Sequence, residues 1–198
     1  MILLVIVALI GGIIFGATGI DISFVQFLVE HKELLVYVLM FSVGISVGMH
    51  RGLVANLKQY HFKALVIPIG IVVGSIVGGM ACSLFLDHSI QETTAAACGM
   101  GWYSLSGITL ENFAGPYMGT VTFLSNLMRE MFSFLSIPFI AKRFNNFSCI
   151  AIAGATSEDT TLPMMIRYTN EETVVLSVLN GMICSALVPI LIPLCFGI

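Results

Sequence analysis

The chain has 198 residues, of which 58% are hydrophobic and only 10% are charged. Soluble domains carry about 25% charged residues, so this composition excludes an ordinary soluble enzyme and indicates a protein whose surroundings are a lipid bilayer. The net charge is −3, and the sequence has no basic run interleaved with aromatic residues. Nucleic acid is therefore not an expected partner.

Five apolar stretches are long enough to cross a membrane, at about residues 2–19, 34–49, 62–86, 117–141 and 172–197. The first has no basic residues before it, which favours a membrane helix over a cleaved leader. We therefore predict an all-α polytopic membrane protein with about five spanning helices.

Two polar stretches of small residues interrupt this apolar pattern. Residues 99–107 read Gly-Met-Gly-Trp-Tyr-Ser-Leu-Ser-Gly, within a mixed segment at about 89–113. Residues 154–163 read Gly-Ala-Thr-Ser-Glu-Asp-Thr-Thr-Leu-Pro, within a mixed segment at about 147–166. Hydrocarbon cannot solvate hydroxyls or non-helical backbone, so such stretches persist at membrane depth only inside protein or beside a watery cavity. Transporters hold solutes with broken helices of this kind.

The basic residues predict the orientation, because short loops rich in Lys and Arg stay in the cytoplasm. Arg51, Lys58 and Lys63 follow the second apolar stretch, and Lys142 and Arg143 follow the fourth. Both groups fall on the cytoplasmic side if the two mixed segments are re-entrant hairpins that enter from opposite faces. The N-terminus is then cytoplasmic and the C-terminus outside. The alternative is that either mixed segment is one broken helix that crosses the membrane.

A faint internal repeat supports the two hairpins. Each copy is a polar hairpin followed by a spanning helix, with matches such as Ser104 to Thr156, and Thr109 to Thr161. Copies of opposite orientation are typical of transporters. Within one membrane domain we therefore expect a three-helix scaffold at residues 1–88 and a transport-site region at residues 89–198.

One face of the predicted span 117–141 is polar along its length. At 100° per residue this face covers an arc of about 140° and holds Thr122, Ser125, Asn126, Arg129, Glu130, Ser133 and Ser136. A charge at mid-membrane costs at least about 2.5–3.5 kcal/mol. Arg129 and Glu130 therefore indicate either a solute or proton pathway or a structural pairing with the hairpins. A direct pair between them is not expected, because adjacent helical residues diverge.

Other small and polar residues have more ordinary interpretations. Asn180, on the last helix, is either a helix-packing hydrogen bond or a ligand. Gly70, Gly74 and Gly78 repeat every four residues, which predicts the close approach of another helix, from this chain or a second copy. The five cysteines are scattered and have no metal-ligand spacing, so neither a metal nor another cofactor is expected.

The hairpin tips predict a site for an amino acid. Backbone amides and hydroxyls suit a carboxylate, and acidic side chains suit an ammonium group. The candidate substrate-binding or proton-coupling residues are Ser104, Ser106, Thr109, Asn126, Arg129, Glu130, Thr156, Ser157, Glu158, Asp159, Thr160, Thr161 and Asn180. A carboxylate that pairs with an arriving cation releases its proton, which would couple solute movement to protons.

Alternatives stay open at two of these positions. Glu158 could lie at a solvated tip, and Asp159 could cap a half-helix. An enzyme is not expected, because the sequence shows no His pair and no Ser with a nearby base.

Three motifs resemble the LysO-type lysine exporter family of bacterial inner membranes. They are Gly-Trp-Tyr-Ser-Leu-Ser-Gly at 101–107, Phe-Leu-Ser-Asn-Leu-Met-Arg-Glu at 123–130, and the polar stretch at 154–163. Their order and spacing agree with the family across nearly the whole chain. The resemblance implies export of L-lysine and of its toxic analogue thialysine by exchange with protons, with Glu130 or Asp159 as the functional acid.

The chain departs from the family pattern in two respects. Family members often begin with roughly three further membrane helices, so the resemblance implies either a separate small membrane protein that supplies them or self-association into a homo-oligomer. Glu158 stands where a methionine is expected, and Asn126 where an acid can occur, which leaves the exact substrate and the proton carrier open. The alternatives to a lysine exporter are a monovalent cation/proton antiporter and a non-transporting subunit of a two-component membrane complex.

Overall fold

The structure, a computed structural model, describes residues 2–18, 22–31, 34, 38, 41–42, 45 and 53–197. All regular secondary structure in that part of the chain is helical, which confirms the predicted all-α class. The predicted second span, 34–49, lies mostly outside the described residues, as does Arg51.

The first helices are α1, Ile2–Thr18, the short α2, Ser23–Glu30, and α3, Leu53–Cys82. The sequence analysis did not predict α2, which falls in an expected connection. By length and composition, two helices of the described part could each cross a membrane: the stretch Leu65–Cys82 within α3, and the last helix, α8, Glu171–Cys195.

The first polar stretch separates α4, Ile90–Ala97, from α5, Tyr103–Arg143. A capping box begins α4: the Ser89 hydroxyl accepts a bond from the Glu92 N–H, and the Glu92 carboxylate accepts one from the Ser89 N–H. The turn between the two helices contains Met100 and Gly101, both with positive φ. We refer to residues 98–102 as the first tip.

The long helix α5 is broken at Gly115, whose φ is 83° and ψ is 173°. Pro116 follows and has no N–H to continue the hydrogen-bond ladder. The two parts, α5a (103–114) and α5b (116–143), fold back on each other. A methyl group added at Gly119 would lie only 3.0 Å from the Gly107 carbonyl oxygen. Helix α4, the first tip and α5a therefore form a hairpin that returns to α5b.

The second polar stretch also interrupts a helix. It lies between α6, Asn146–Ala153, and α7, Leu162–Tyr168, and begins with a 3-10 turn at Gly154–Glu158. We refer to residues 154–161 as the second tip. Asn145 caps α6, and Asn170 caps α8.

Polar groups of the two tips and an apolar core both lie inside the helix assembly. An apolar core joins Ile71 of α3, Met100 of the first tip, Met118 of α5b, Ala155 of the second tip and Val188 of α8. Large apolar side chains are exposed along the outer faces, among them Val73, Val77, Met128, Phe132, Leu135, Phe139, Ile190 and Leu194. A lipid environment suits this distribution because it solvates apolar side chains and excludes polar groups. The exact number of crossings remains a prediction.

Candidate functional site

The two tips contact each other in the interior. The backbone N–H of Ala155 donates a hydrogen bond to the carbonyl oxygen of Met100, at 3.0 Å. Gly154 has a φ of 64°, and a methyl group added there would lie 2.5 Å from the same oxygen. Only glycine suits both this conformation and this close approach. The two polar stretches noted in the sequence are therefore brought together by the fold.

Asn126, on α5b, holds the first tip. Its Oδ1 accepts a hydrogen bond from the backbone N–H of Gly101 at 2.8 Å. Its Nδ2 donates to the carbonyl oxygens of Ala96 at 2.9 Å and Thr122 at 3.0 Å. Because the side chain is buried, its bond to Gly101 satisfies a backbone N–H that the helix break leaves without a helical partner.

Asn180, on α8, holds the second tip in the same manner. Its Nδ2 donates to the carbonyl oxygen of Gly154 at 2.9 Å and to Oγ of Ser157 at 3.0 Å. Ser157 and Ser177 each donate a hydroxyl to the other's backbone carbonyl oxygen, at 2.8 and 2.7 Å. Each hairpin is thus fastened to the helix that follows it by a buried asparagine.

Glu130 is the most enclosed acid of the predicted site. It is 2% exposed, and its Oε2 has no hydrogen-bond partner in the described part of the chain. The side chain of Thr160 contacts Glu130, and Asp159 of the second tip is an electrostatic neighbour of it. Asp159 itself is exposed. A buried acid with a free oxygen beside a second acid can take up a proton or a cation.

Tyr103 completes this acidic cluster from the first hairpin. Its electrostatic neighbours include Glu130 and Asp159, and its ring packs edge-on against Phe123 with the ring centroids 5.2 Å apart. Residues from both hairpins and from α5b therefore surround the same small region.

Arg129 points away from this cluster. Its Nη1 donates to Oγ of Ser75 at 3.4 Å and to the carbonyl oxygen of Ala97 at 3.5 Å. Its Nη2 lies 3.3 Å from the position of a methyl group added at Gly154. No ion pair is found between Arg129 and Glu130 or any other acid of the described residues. The guanidinium thus reaches both hairpins and α3 without a charge partner there.

The two acids of the second tip lie in different environments. Glu158 is half-buried against α8, where its Oε1 accepts a hydrogen bond from the Ser185 hydroxyl at 2.8 Å. A solvated tip position for Glu158, one of the alternatives above, does not agree with this packing. Asp159 accepts a bond from the Thr160 N–H, and no side chain caps α7. The capping interpretation of Asp159 is therefore wrong for that helix.

Three of the predicted hydroxyl groups bond to the backbone of their own hairpin. Ser106 donates to Trp102 at 2.7 Å, Thr156 to Ala153 at 2.9 Å, and Thr161 to Thr156 at 2.9 Å. By contrast, the buried hydroxyls of Thr109 and Thr122 have no partner among the described residues. Ser104 is half-buried.

Three residues at the site were not predicted from sequence. Ser75, the partner of Arg129, is one hydroxyl in an apolar helix and has no distinguishing pattern. Tyr103 lies in the first motif. Its place at the start of a half-helix is a signal by which sequence analysis could have found it. Ser185 lies about two helical turns after Ser177, on the polar face of α8.

The comparisons with known proteins agree on one family. The family described as lysine exporter LysO matches residues 6–196. Lysine exporter LysO of Escherichia coli (strain K12) is 34% identical over 181 residues, which cover 91% of this chain and 59% of that relative. A putative lysine exporter of Haemophilus influenzae is 31% identical over 154 residues, which cover 78% of each chain. No solved structure matches the chain.

The chain thus spans 59% of the length of its Escherichia coli relative. The family match runs through both hairpins, α5b and α8, so it includes every residue of the candidate site. The family is a family of transporters, described as lysine exporters. This chain belongs to the LysO lysine exporter family, and it is a helical membrane protein.

Proposed function

We propose that this chain exports L-lysine, and with it thialysine, across the bacterial inner membrane in exchange for protons. The observation that supports this proposal best is the contact between the two hairpin tips beside the buried Glu130. The names of the two relatives supply the substrate. Broken helices that meet inside a helical bundle are the usual site of solute binding in secondary transporters.

Glu130 and Asp159 are the proton-coupling acids in this proposal. They lie on different elements, α5b and the second tip, so a movement of the second hairpin changes their separation. The free Oε2 of Glu130 is available to a proton or to a cationic group. Exchange of one for the other at this position would link the proton to the solute.

The way the hairpins are held supports a proposal of alternating access. The tips share the backbone bond from Ala155 to Met100, and one such bond contributes only about 0.5–1.5 kcal/mol net. Each hairpin is bonded more extensively to its own following helix through Asn126 or Asn180. The hairpins can therefore separate from each other while each stays attached to its helix.

The arrangement in the membrane is also part of the proposal. Residues 1–88 form the scaffold and residues 89–198 the transport region, with a cytoplasmic N-terminus. A small membrane protein or a second copy of the chain completes the transport unit. Transport assays therefore need the chain alone and the chain with any membrane protein that copurifies with it.

Resistance to thialysine tests this proposal in cells that lack their own lysine exporter. We expect the wild-type chain to confer resistance, and Glu130→Gln and Asp159→Asn each to abolish it, since both remove an ionisable acid with little change in shape. Glu171→Gln is the matched control, because Glu171 is an exposed acid in the first turn of α8. The amount of each variant in the membrane fraction is measured in parallel. Full resistance with both site variants would contradict the assignment of the acids.

A further inference from the structure

Two cavities lie on either side of Arg129. The larger, of about 720 Å³, is bordered by α3, the end of α4 and the start of α6. The smaller, of about 270 Å³, is bordered by the end of α3, α4 and α5b. Among the described residues, Ala97 and Arg129 are the two that line both cavities.

The cavities extend toward opposite ends of the helix assembly. The larger reaches Asn145 and Ser148, next to the basic pair that ends α5b. The smaller reaches Cys82 and His88, at the connection between α3 and α4. The second half of α3 borders both cavities, and they adjoin at Ala97 and Arg129.

Along α3, the wall of the larger cavity includes a stripe of glycines. Gly70, Gly74 and Gly78 line it, and no atom of the described part lies within 4 Å of a methyl group added at any of them. Gly44 and Gly48, the predicted counterpart of this stripe, lie outside the described residues, so the close helix approach stays a prediction. A volume of about 720 Å³ falls within the range of about 300–1,000 Å³ that small-molecule sites occupy.

The positive charge of Arg129, where the two cavities meet, has few hydrogen-bond partners and no acid partner among the described residues. A guanidinium group has five N–H donors, and the contacts of Arg129 in the described part are two long hydrogen bonds at 3.4 and 3.5 Å. Arg129 is partly buried, and a partly buried cation without an acid partner is costly. A carboxylate suits this position, because it accepts two parallel hydrogen bonds from the planar guanidinium.

We propose that the two cavities form the path of the transported amino acid and that Arg129 binds its α-carboxylate where they meet. This inference rests on the proposed function. Adjacent helical residues point about 100° apart, and Glu130 lines neither cavity. The carboxylate-binding point and the proton-coupling acids therefore lie on different faces of α5b.

The first test compares two ligands on the wild-type protein in proteoliposomes. Counterflow of labelled L-lysine is inhibited by unlabelled L-lysine or by L-lysinamide, which keeps the side chain and the α-amino group but has no carboxylate. Hydrogen bonds between charged groups predict a half-inhibitory concentration of lysinamide that is higher by roughly tenfold or more. Equal inhibition by the two compounds would overturn the inference.

The second test uses variants of Arg129. In Arg129→Gln we expect the half-saturation concentration for lysine to rise by roughly tenfold or more, while inhibition by lysinamide stays near its wild-type value. Arg129→Lys keeps the charge but loses the planar fork, so its value for lysine lies between those of the wild type and Arg129→Gln. Lys142→Gln is the control for loss of an exposed positive charge.

The outcomes separate this inference from the proposed function. If Arg129 only joins α3 to the hairpins, its variants weaken lysine and lysinamide by the same factor, and the inference is wrong while lysine transport stands. If the wild-type protein moves no lysine, the proposed function itself fails. If Arg129→Gln does not insert, Arg129→Lys and the comparison of the two ligands on the wild-type protein still decide the question.

Discussion

At the scale of single residues, the two buried asparagines show that a polar residue on a helix face can hold the structure and need not bind a ligand. Asn126 and Asn180 both lie on polar helix faces, as a ligand-binding residue would. Their amide groups are nonetheless occupied by the backbone of the tips. We therefore infer that they position the hairpins, whereas the free oxygen of Glu130 and the free hydroxyl of Thr109 remain available to bind.

This distinction predicts a loss of stability for Asn126→Ala. The substitution removes the partner of the buried Gly101 N–H, which costs about 1–3 kcal/mol. Thermal unfolding of the purified protein in detergent measures the effect as a lower Tm. Ser125→Ala is the control, because the Ser125 hydroxyl is exposed and bonds within its own helix. Equal Tm values for Asn126→Ala and Ser125→Ala would contradict the role of Asn126.

At the scale of elements, the contact between the tips depends on the backbone of Gly154. The positive φ of Gly154 and the distance of 2.5 Å from an added methyl group to the Met100 oxygen leave no room for a side chain. Gly154→Ala must therefore separate the tips or distort the second hairpin. Gly154 has a ψ of −131°, and a non-glycine residue held in such a sparsely populated region costs about 1–3 kcal/mol.

We expect Gly154→Ala to lose most lysine export in the thialysine assay. Gly16→Ala is the matched control, because Gly16 lies within α1 and no atom of the described part is within 4 Å of its added methyl group. Export by Gly154→Ala at the wild-type rate would show that the contact between the tips is not needed for transport.

The sequence predicts the breaks in the helices well, because Gly and small polar residues inside apolar runs are a local signal. The structural breaks at 98–102 and 154–161 fall on the two predicted stretches. The hydrogen-bond partner of each polar side chain cannot be predicted in the same way, because it is often far away in the sequence. Asn126 meets a backbone group 25 positions away. Likewise, a glycine stripe indicates room beside a helix but not what fills it, and the stripe of α3 lines a cavity.

At the scale of the whole molecule, the acidic cluster and the two cavities lie on different faces of α5b. In the proposed exchange, the α-carboxylate of the solute binds at the Arg129 face of this helix. Its cationic group and the proton exchange at Glu130, on the other face. The two hairpins both contact α5b. We therefore expect a ligand or proton that binds at either face of α5b to alter the contact between the tips.

The measurement that tests the account most directly is counterflow of labelled L-lysine in proteoliposomes, with and without a pH gradient. We predict accumulation of lysine that responds to the gradient in the wild-type protein and is lost in Glu130→Gln, but not in Glu171→Gln. Flux of Na⁺ or K⁺ that depends on pH and is indifferent to lysine would contradict the account and identify a cation/proton antiporter. No lysine flux with the chain alone or with any copurifying membrane protein would contradict it as well.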